Sequence, residues 1–305
     1  MDHFQEYLAT EVALDHAGGQ LTRREALRRL GMMGVSVTAA SALLAACGDD
    51  GDEETTGPAA QTTTTAAPAT TVTPTTRPAT TPVPPQDITY PGPNGTMMGA
   101  YAAAASAKGA VIVVHENRGL VDGTRAVAGR LAGDGYSALA VDLLSEEGGT
   151  AKVPTAEVSA ALNAAGPARI RPDLKASIDE LVKRNPSAKV GMIGFCFGGT
   201  VVWDFLTQEE PRLLAAAPFY GTVPAEVVFR TKAAVLGVYG ETDNRVNATR
   251  DAAKAGLEKA GVQHQINTYP GVGHGFYSQV DSEQSKKAYN DVLDWFGRYL
   301  RYPPT

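Results

Sequence analysis

The sequence predicts an α/β domain: a mostly parallel central sheet with helices on both faces. Short β-rich runs, most of them continuously apolar, alternate with longer segments of helical spacing, the pattern left by strands buried on both faces. The chemistry-bearing residues follow the ends of those runs, the edge where open parallel sheets place their sites. A change of composition near residue 86 marks where the domain begins.

Taken in order, Ile88 to Tyr90 and Met97 to Ala102 read as an opening hairpin turned by Pro91-Gly92-Pro93-Asn94-Gly95. The core strands are Gly109 to His115, Tyr136 to Leu143, Lys189 to Phe195, Leu213 to Tyr220, Ala233 to Tyr239 and Gln263 to Tyr269. Helical spacing covers Gly123 to Asp134, Arg171 to Arg184, Gly199 to Gln208, Ala248 to Lys259 and Ser282 to Leu300. Trp295, Phe296, Tyr299 and Leu300 form a stripe that suits core packing. Residues 144 to 167 are less regular and read as a loop plus a short helix bordering the site.

Outside residues 87 to 302 the chain changes character. Residues 51 to 86 are crowded with Thr, Pro and Ala and hold almost no large apolar side chain, so they cannot bury enough surface to offset ordering entropy. Residues 47 to 86 are therefore read as a disordered linker that begins at Cys47. Residues 1 to 46 read as an export signal: Thr22-Arg23-Arg24-Glu25-Ala26-Leu27-Arg28-Arg29 resembles a twin-arginine signal, and Leu44-Ala45-Ala46-Cys47 resembles a bacterial lipobox. The apolar run from Leu30 to Ala46 is short against the roughly 20 residues a span needs. The expectation is an envelope protein whose lipidated Cys47 ties it to the outer face of the cytoplasmic membrane. A net charge of -6, with no basic block in the domain, argues against a nucleic-acid partner. The chain has 2 cysteines, so lipid on Cys47 leaves Cys196 without a disulfide partner. The sequence does not give the oligomeric state.

Gly194-Phe195-Cys196-Phe197-Gly198-Gly199 stands between an apolar strand and a helix, and is the Gly-x-Ser-x-Gly nucleophile elbow with Cys for Ser. Such a turn tolerates little bulk around the nucleophile. The helix N-terminus favours thiolate, and the Phe197 amide there suits one arm of an oxyanion hole. Asp243 and His274 each follow a strand, and the order nucleophile, acid, His is the one used by α/β-hydrolases. A Cys nucleophile needs a base for its proton, and the base needs a carboxylate to fix its tautomer. Glu241 is the alternative acid. Among the other histidines, His3 and His16 lie in the leader, His264 inside a strand, and His115 at a strand end where it is either a satisfied polar group or part of the site. No second His or Cys stands at ligand spacing, so no metal is expected, and hydrolysis by a thiol, a His and a carboxylate requires no organic cofactor.

On these motifs, together with Val114-His115-Glu116-Asn117-Arg118-Gly119, residues 87 to 302 resemble the dienelactone hydrolase family. The resemblance implies an α/β-hydrolase fold and cleavage of a small ester or lactone through an acyl-thioester on Cys196. It also implies that Glu116 helps activate the thiol and that the Asn117 amide completes the oxyanion hole. Arg118 and Phe276 are the candidates for substrate contact. The sequence departs from the family where a carboxylate-binding arginine would follow the His: that place is Ser278. A carboxylate partner would have to come from Arg118, Arg125, Arg169, Arg171 or Arg245, and without one neutral esters are favoured. The rival readings are a general carboxylesterase or thioesterase on neutral esters, and a tethered binding protein that has lost turnover.

Overall fold

The structure is a computed structural model that describes residues 3–17, 19, 21–48 and 80–301. The lipidation expected at Cys47 falls on a side chain outside the described residues, as does most of the expected linker, residues 49–79.

One eight-stranded sheet runs through the domain in the order β1-β2-β4-β3-β5-β6-β7-β8. β1 (Gln86–Gly92) and β2 (Gly95–Ala102) form the opening hairpin, and β2 pairs antiparallel with β4 (Tyr136–Asp142). From β4 onward the pairing is parallel, through β3 (Gly109–Val114), β5 (Val190–Phe195), β6 (Leu213–Phe219), β7 (Ala234–Gly240) and β8 (His264–Tyr269). Every residue of β3, β4, β5 and β7 is buried, as their continuous apolar composition requires. β8 lies at the sheet edge and is only partly covered, which its polar residues match. With helices on both faces, this is the α/β-hydrolase architecture.

The helices that position the site are α4 (Asp122–Gly133), α5 (Val158–Arg184), α6 (Phe197–Phe205), the short α7 (Asn244–Asn247), α8 (Arg250–Lys259) and α9 (Glu283–Tyr299). α5 starts well before the expected Arg171. Gly166 breaks it at φ 58, and Pro167 then opens the second segment, where a missing N–H costs nothing. That break in periodicity hid the first half of the helix.

One expectation about the chain before residue 87 needs correction. Residues 80–86 belong to the folded domain: the Val83 amide donates to Gly129 O at 2.9 Å and Thr80 Oγ1 to Asp134 Oδ1 at 3.0 Å. A Cβ on Gly129 or Gly133 would stand 2.6 Å from Val83 O or 2.5 Å from Thr81 O, so glycines of α4 form the groove that holds this segment. Composition could not show a groove made elsewhere in the chain. The leader, too, folds onto the domain, as three helices preceding the six above: α1 (His3–Ala17), α2 (Arg23–Met32), capped by Thr22, and α3 (Val37–Gly48). α1 packs on α2, α3, α5 and α6. No helix among the described residues is long and apolar enough to cross a membrane.

Candidate active site

Cys196 sits at the turn between β5 and α6 with φ 57 and ψ −119, a left-handed conformation that a non-glycine residue adopts only under constraint. The constraint is close backbone packing. A Cβ on Gly194 would lie 2.2 Å from Gly198 O, one on Gly198 2.4 Å from Val114 O, and one on Gly199 2.2 Å from Phe219 O. The Cys196 amide donates to Phe219 O at 3.1 Å, which ties the elbow to the end of β6. There Tyr220 also has positive φ, at 35, so two strained residues stand side by side.

Asp243 follows β7 and His274 follows β8 at the same sheet edge. His274 Nδ1 donates to Asp243 Oδ2 at 2.6 Å, while Asp243 Oδ1 accepts from the Val246 amide at 3.2 Å, capping α7. The carboxylate is therefore fixed from both sides and buried. The Tyr220 ring meets the imidazole edge-on at 5.0 Å. The Cys196 thiol and His274 have ligating atoms within 4.8 Å of each other. Glu241, the alternative acid, instead accepts from the Gly271 amide at 2.8 Å.

Glu116 follows β3 and lines the cleft with Asn117, Arg118, Cys196, His274 and Ser278; the cavity measures about 540 Å³. Burial pushes the Glu116 carboxyl up, while His274 and Arg118 pull it down. Phe197, whose amide was expected in the oxyanion hole, is the first residue of α6. A smaller apolar chamber of about 160 Å³ adjoins the cleft, walled by Phe195, Tyr220, Tyr277 and Val127 and sharing Glu116 and Ser278. His115 is a structural group: Nδ1 bonds Glu116 O at 2.7 Å and Nε2 accepts from the Leu143 amide at 3.2 Å, with burial lowering its pKa. His264 bonds Val262 O at 2.8 Å on the edge strand. Phe276, expected near substrate, is turned into the core against Phe219, Tyr220 and Tyr269.

Sequence reasoning missed a support beneath this loop. Asp142 accepts from the Leu144 amide at 3.0 Å, the Thr150 amide at 2.7 Å and Thr150 Oγ1 at 2.7 Å, and Thr150 Oγ1 in turn accepts from the Leu120 amide at 2.9 Å. Residues 144 to 152 are thereby locked to the segment that carries Glu116.

The five arginines weighed as carboxylate partners separate cleanly. Arg125 pairs with Asp87, Arg169 with Glu147 at 2.7 Å, and Arg171 with Asp204 at 2.6 Å, all engaged within the domain. Arg118 lines the cleft, and Arg245 bonds Glu11 of α1.

That last contact was invisible in the sequence reading. α1 lies over the site: Phe4 meets Phe197 edge-on at 5.4 Å, and Tyr7 OH donates to Cys196 Sγ at 3.1 Å. Glu11 stands 3.9 Å from both Cys196 Sγ and His274 Nε2. Phe4, Tyr7, Leu8, Glu11 and Val12 are all buried at helical spacing. An acid inside an otherwise apolar stripe was the available signal. Burial first, and then Glu11, push the Cys196 thiol up against the pull of His274. Burial opposes the imidazolium of His274, yet Cys196, Asp243 and Glu11 outweigh it and hold its pKa well above the ordinary value. Glu11, Cys196 and His274 also place three potential metal-ligand atoms within 4.8 Å of one another, a grouping that local spacing could not reveal because Glu11 comes from the leader.

A model of the dienelactone hydrolase family matches residues 97–300. Two relatives named "Putative carboxymethylenebutenolidase" are similar over most of the domain. The Synechocystis protein is 30% identical over 243 residues, covering 70% of this chain and 96% of its own. The Methylorubrum extorquens protein is 28% identical over 209 residues, covering 62% and 72%. The solved structure of a "Putative Dienelactone Hydrolase" from Klebsiella pneumoniae aligns with a TM-score of 0.61 at 25% identity, covering 70% of this chain and 98% of that one.

Proposed function

The chain belongs to the dienelactone hydrolase family and is a hydrolase of the carboxylic-ester class, and from that premise we propose that Cys196, His274 and Asp243 cleave a small ester or lactone through an acyl-thioester. The observation that carries this reading is the Asp243–His274 contact of 2.6 Å beside a thiol held on a strained elbow. His274 Nε2 takes the thiol proton as Sγ attacks the acyl carbon, and Asp243 keeps Nδ1 protonated and the ring oriented. The carbonyl oxygen gains the negative charge, which the Phe197 and Asn117 amides receive. Collapse expels the alkoxide, which takes its proton from His274; in a lactone it stays attached to the acyl group. Water, deprotonated by His274, then hydrolyses the thioester and restores the thiol. Glu116 sits where it disfavours a resting thiolate until substrate arrives.

The test is turnover of p-nitrophenyl esters and lactones. Cys196→Ala and His274→Ala are expected to abolish it with folding intact, and Asp243→Asn to impair it strongly where Glu241→Gln does not. Near wild-type turnover by Cys196→Ala would remove the thiol from the mechanism, and the reverse result for the two acids would reassign the carboxylate.

For location we propose an exported lipoprotein that begins at Cys47, on the strength of the paired arginines and Leu44-Ala45-Ala46-Cys47. Mass spectrometry of the mature N-terminus is expected to find a lipid-modified Cys47. An unmodified Cys47 inside an intact leader would sink the proposal.

A further inference from the structure

The leader helix α1 does more than cover the thiol, because its acidic groups meet the cations of the cleft. The Glu11 carboxylate touches three groups at once: it bonds the Arg245 guanidinium and lies 3.9 Å from both Cys196 Sγ and His274 Nε2. One turn further along, Asp15 lines the same cleft, where burial and then Glu11 push its carboxyl up against the pull of Arg118 and Arg29. Arg245 is two residues beyond Asp243 on the turn that Asp243 caps, so the structure that fixes the proposed acid also fixes this cation. The guanidinium stacks over the Tyr7 ring at 4.6 Å, its Nε has no hydrogen-bond partner, and the ion pair it makes among the described residues is with Glu11. The domain therefore holds a largely buried cation beside the reacting centre and leaves its carboxylate to be supplied by the leader. Glu11 thus occupies a place between Arg245, Cys196 Sγ and His274 Nε2 that a substrate carboxylate can take when α1 is absent.

We propose that Arg245 is the seat for a carboxylate carried by the substrate, and that α1 fills this seat with Glu11 as a built-in surrogate that keeps the nucleophile covered. The inference rests on the reading of Cys196 as nucleophile. It also reverses the preference for neutral esters drawn from Ser278: the anion site has moved from four residues after His274 to two residues after Asp243. Tyr7 completes the surrogate by donating to the thiol, so the cover needs no covalent bond and leaves with the leader when the chain is cut before Cys47.

The experiment uses the full chain. Tyr7→Ala combined with Glu11→Ala uncovers the site; Glu11→Gln is the gentler companion, and a peptide of residues 3–17 added to the double variant restores the cover in trans. Iodoacetamide is expected to label Cys196 about tenfold faster in the double variant than in the unaltered chain, and the peptide to slow it again. Labelling that is equally fast in all three overturns the surrogate. The seat is read by kcat/KM for mono-p-nitrophenyl succinate divided by that for p-nitrophenyl acetate. In the uncovered background, Arg245→Gln is expected to lower this ratio about tenfold, whereas Arg125→Gln does not change it. An unchanged ratio with Arg245→Gln overturns the seat. Persistent turnover by Cys196→Ala would instead defeat the mechanism proposed above, and the labelling and ratio measurements do not depend on that outcome.

Discussion

Gly198 and Cys196 show how much of the site is decided atom by atom. With Val114 O 2.4 Å from where a Cβ would stand, Gly198→Ala must displace either the elbow or the end of β3. The variant is expected to lose about 1 to 3 kcal/mol of stability in urea unfolding and most of its esterase turnover, because the same shift moves the thiol. That Cys196, Asp243 and His274 meet at one sheet edge was legible in the sequence because each follows a strand-like run, and the sheet gathers its strand ends. Tyr7 and Glu11 were not legible, and Arg245 stood only as one of five candidate arginines. Their contacts link residues 189, 185 and 234 positions apart, and no local pattern encodes which helix lies over which cleft.

Among the elements, the strands were legible nearly to their ends, since most are continuous apolar runs that leave little choice of period. α5 was half missed, and its buried face carries a polar residue that composition could not interpret. Asp173 is only 1% exposed, one of its carboxylate oxygens lacks a hydrogen-bond partner, and Arg169 approaches no nearer than 3.9 Å. Burial raises its pKa to about 6, with Arg169 opposing and Glu146 and Glu147 adding to the rise. The folded state thus binds this proton more tightly than the unfolded chain does. The stability it contributes is fully present below the ordinary carboxylate pKa and is lost as pH rises through about 6. Asp173→Asn is expected to raise thermal stability by an amount on the order of 1 to 3 kcal/mol near pH 8, and the gain should vanish toward pH 4. Melting curves across that range check it; a gain that persists at low pH would mean the charge is not the cause.

For the molecule as a whole, the position of Thr80 settles a matter of orientation. Thr80 bonds Asp134 at the end of α4, beside the starts of β3 and β4, so the chain enters the domain at the amino edge of the sheet. Cys196, Asp243 and His274 occupy the opposite, carboxyl edge. Residues 49–79, fully extended, would reach about 100 Å, ample to pass from one pole to the other. A lipid on Cys47 would hold the domain by its rear pole, with the mouth of the cleft facing the surrounding fluid. An enzyme hung that way would meet dissolved molecules as they diffuse past. Halving residues 49–79 would still leave a tether of roughly 50 Å and is accordingly expected to leave hydrolysis of a water-soluble ester by vesicle-bound protein unchanged.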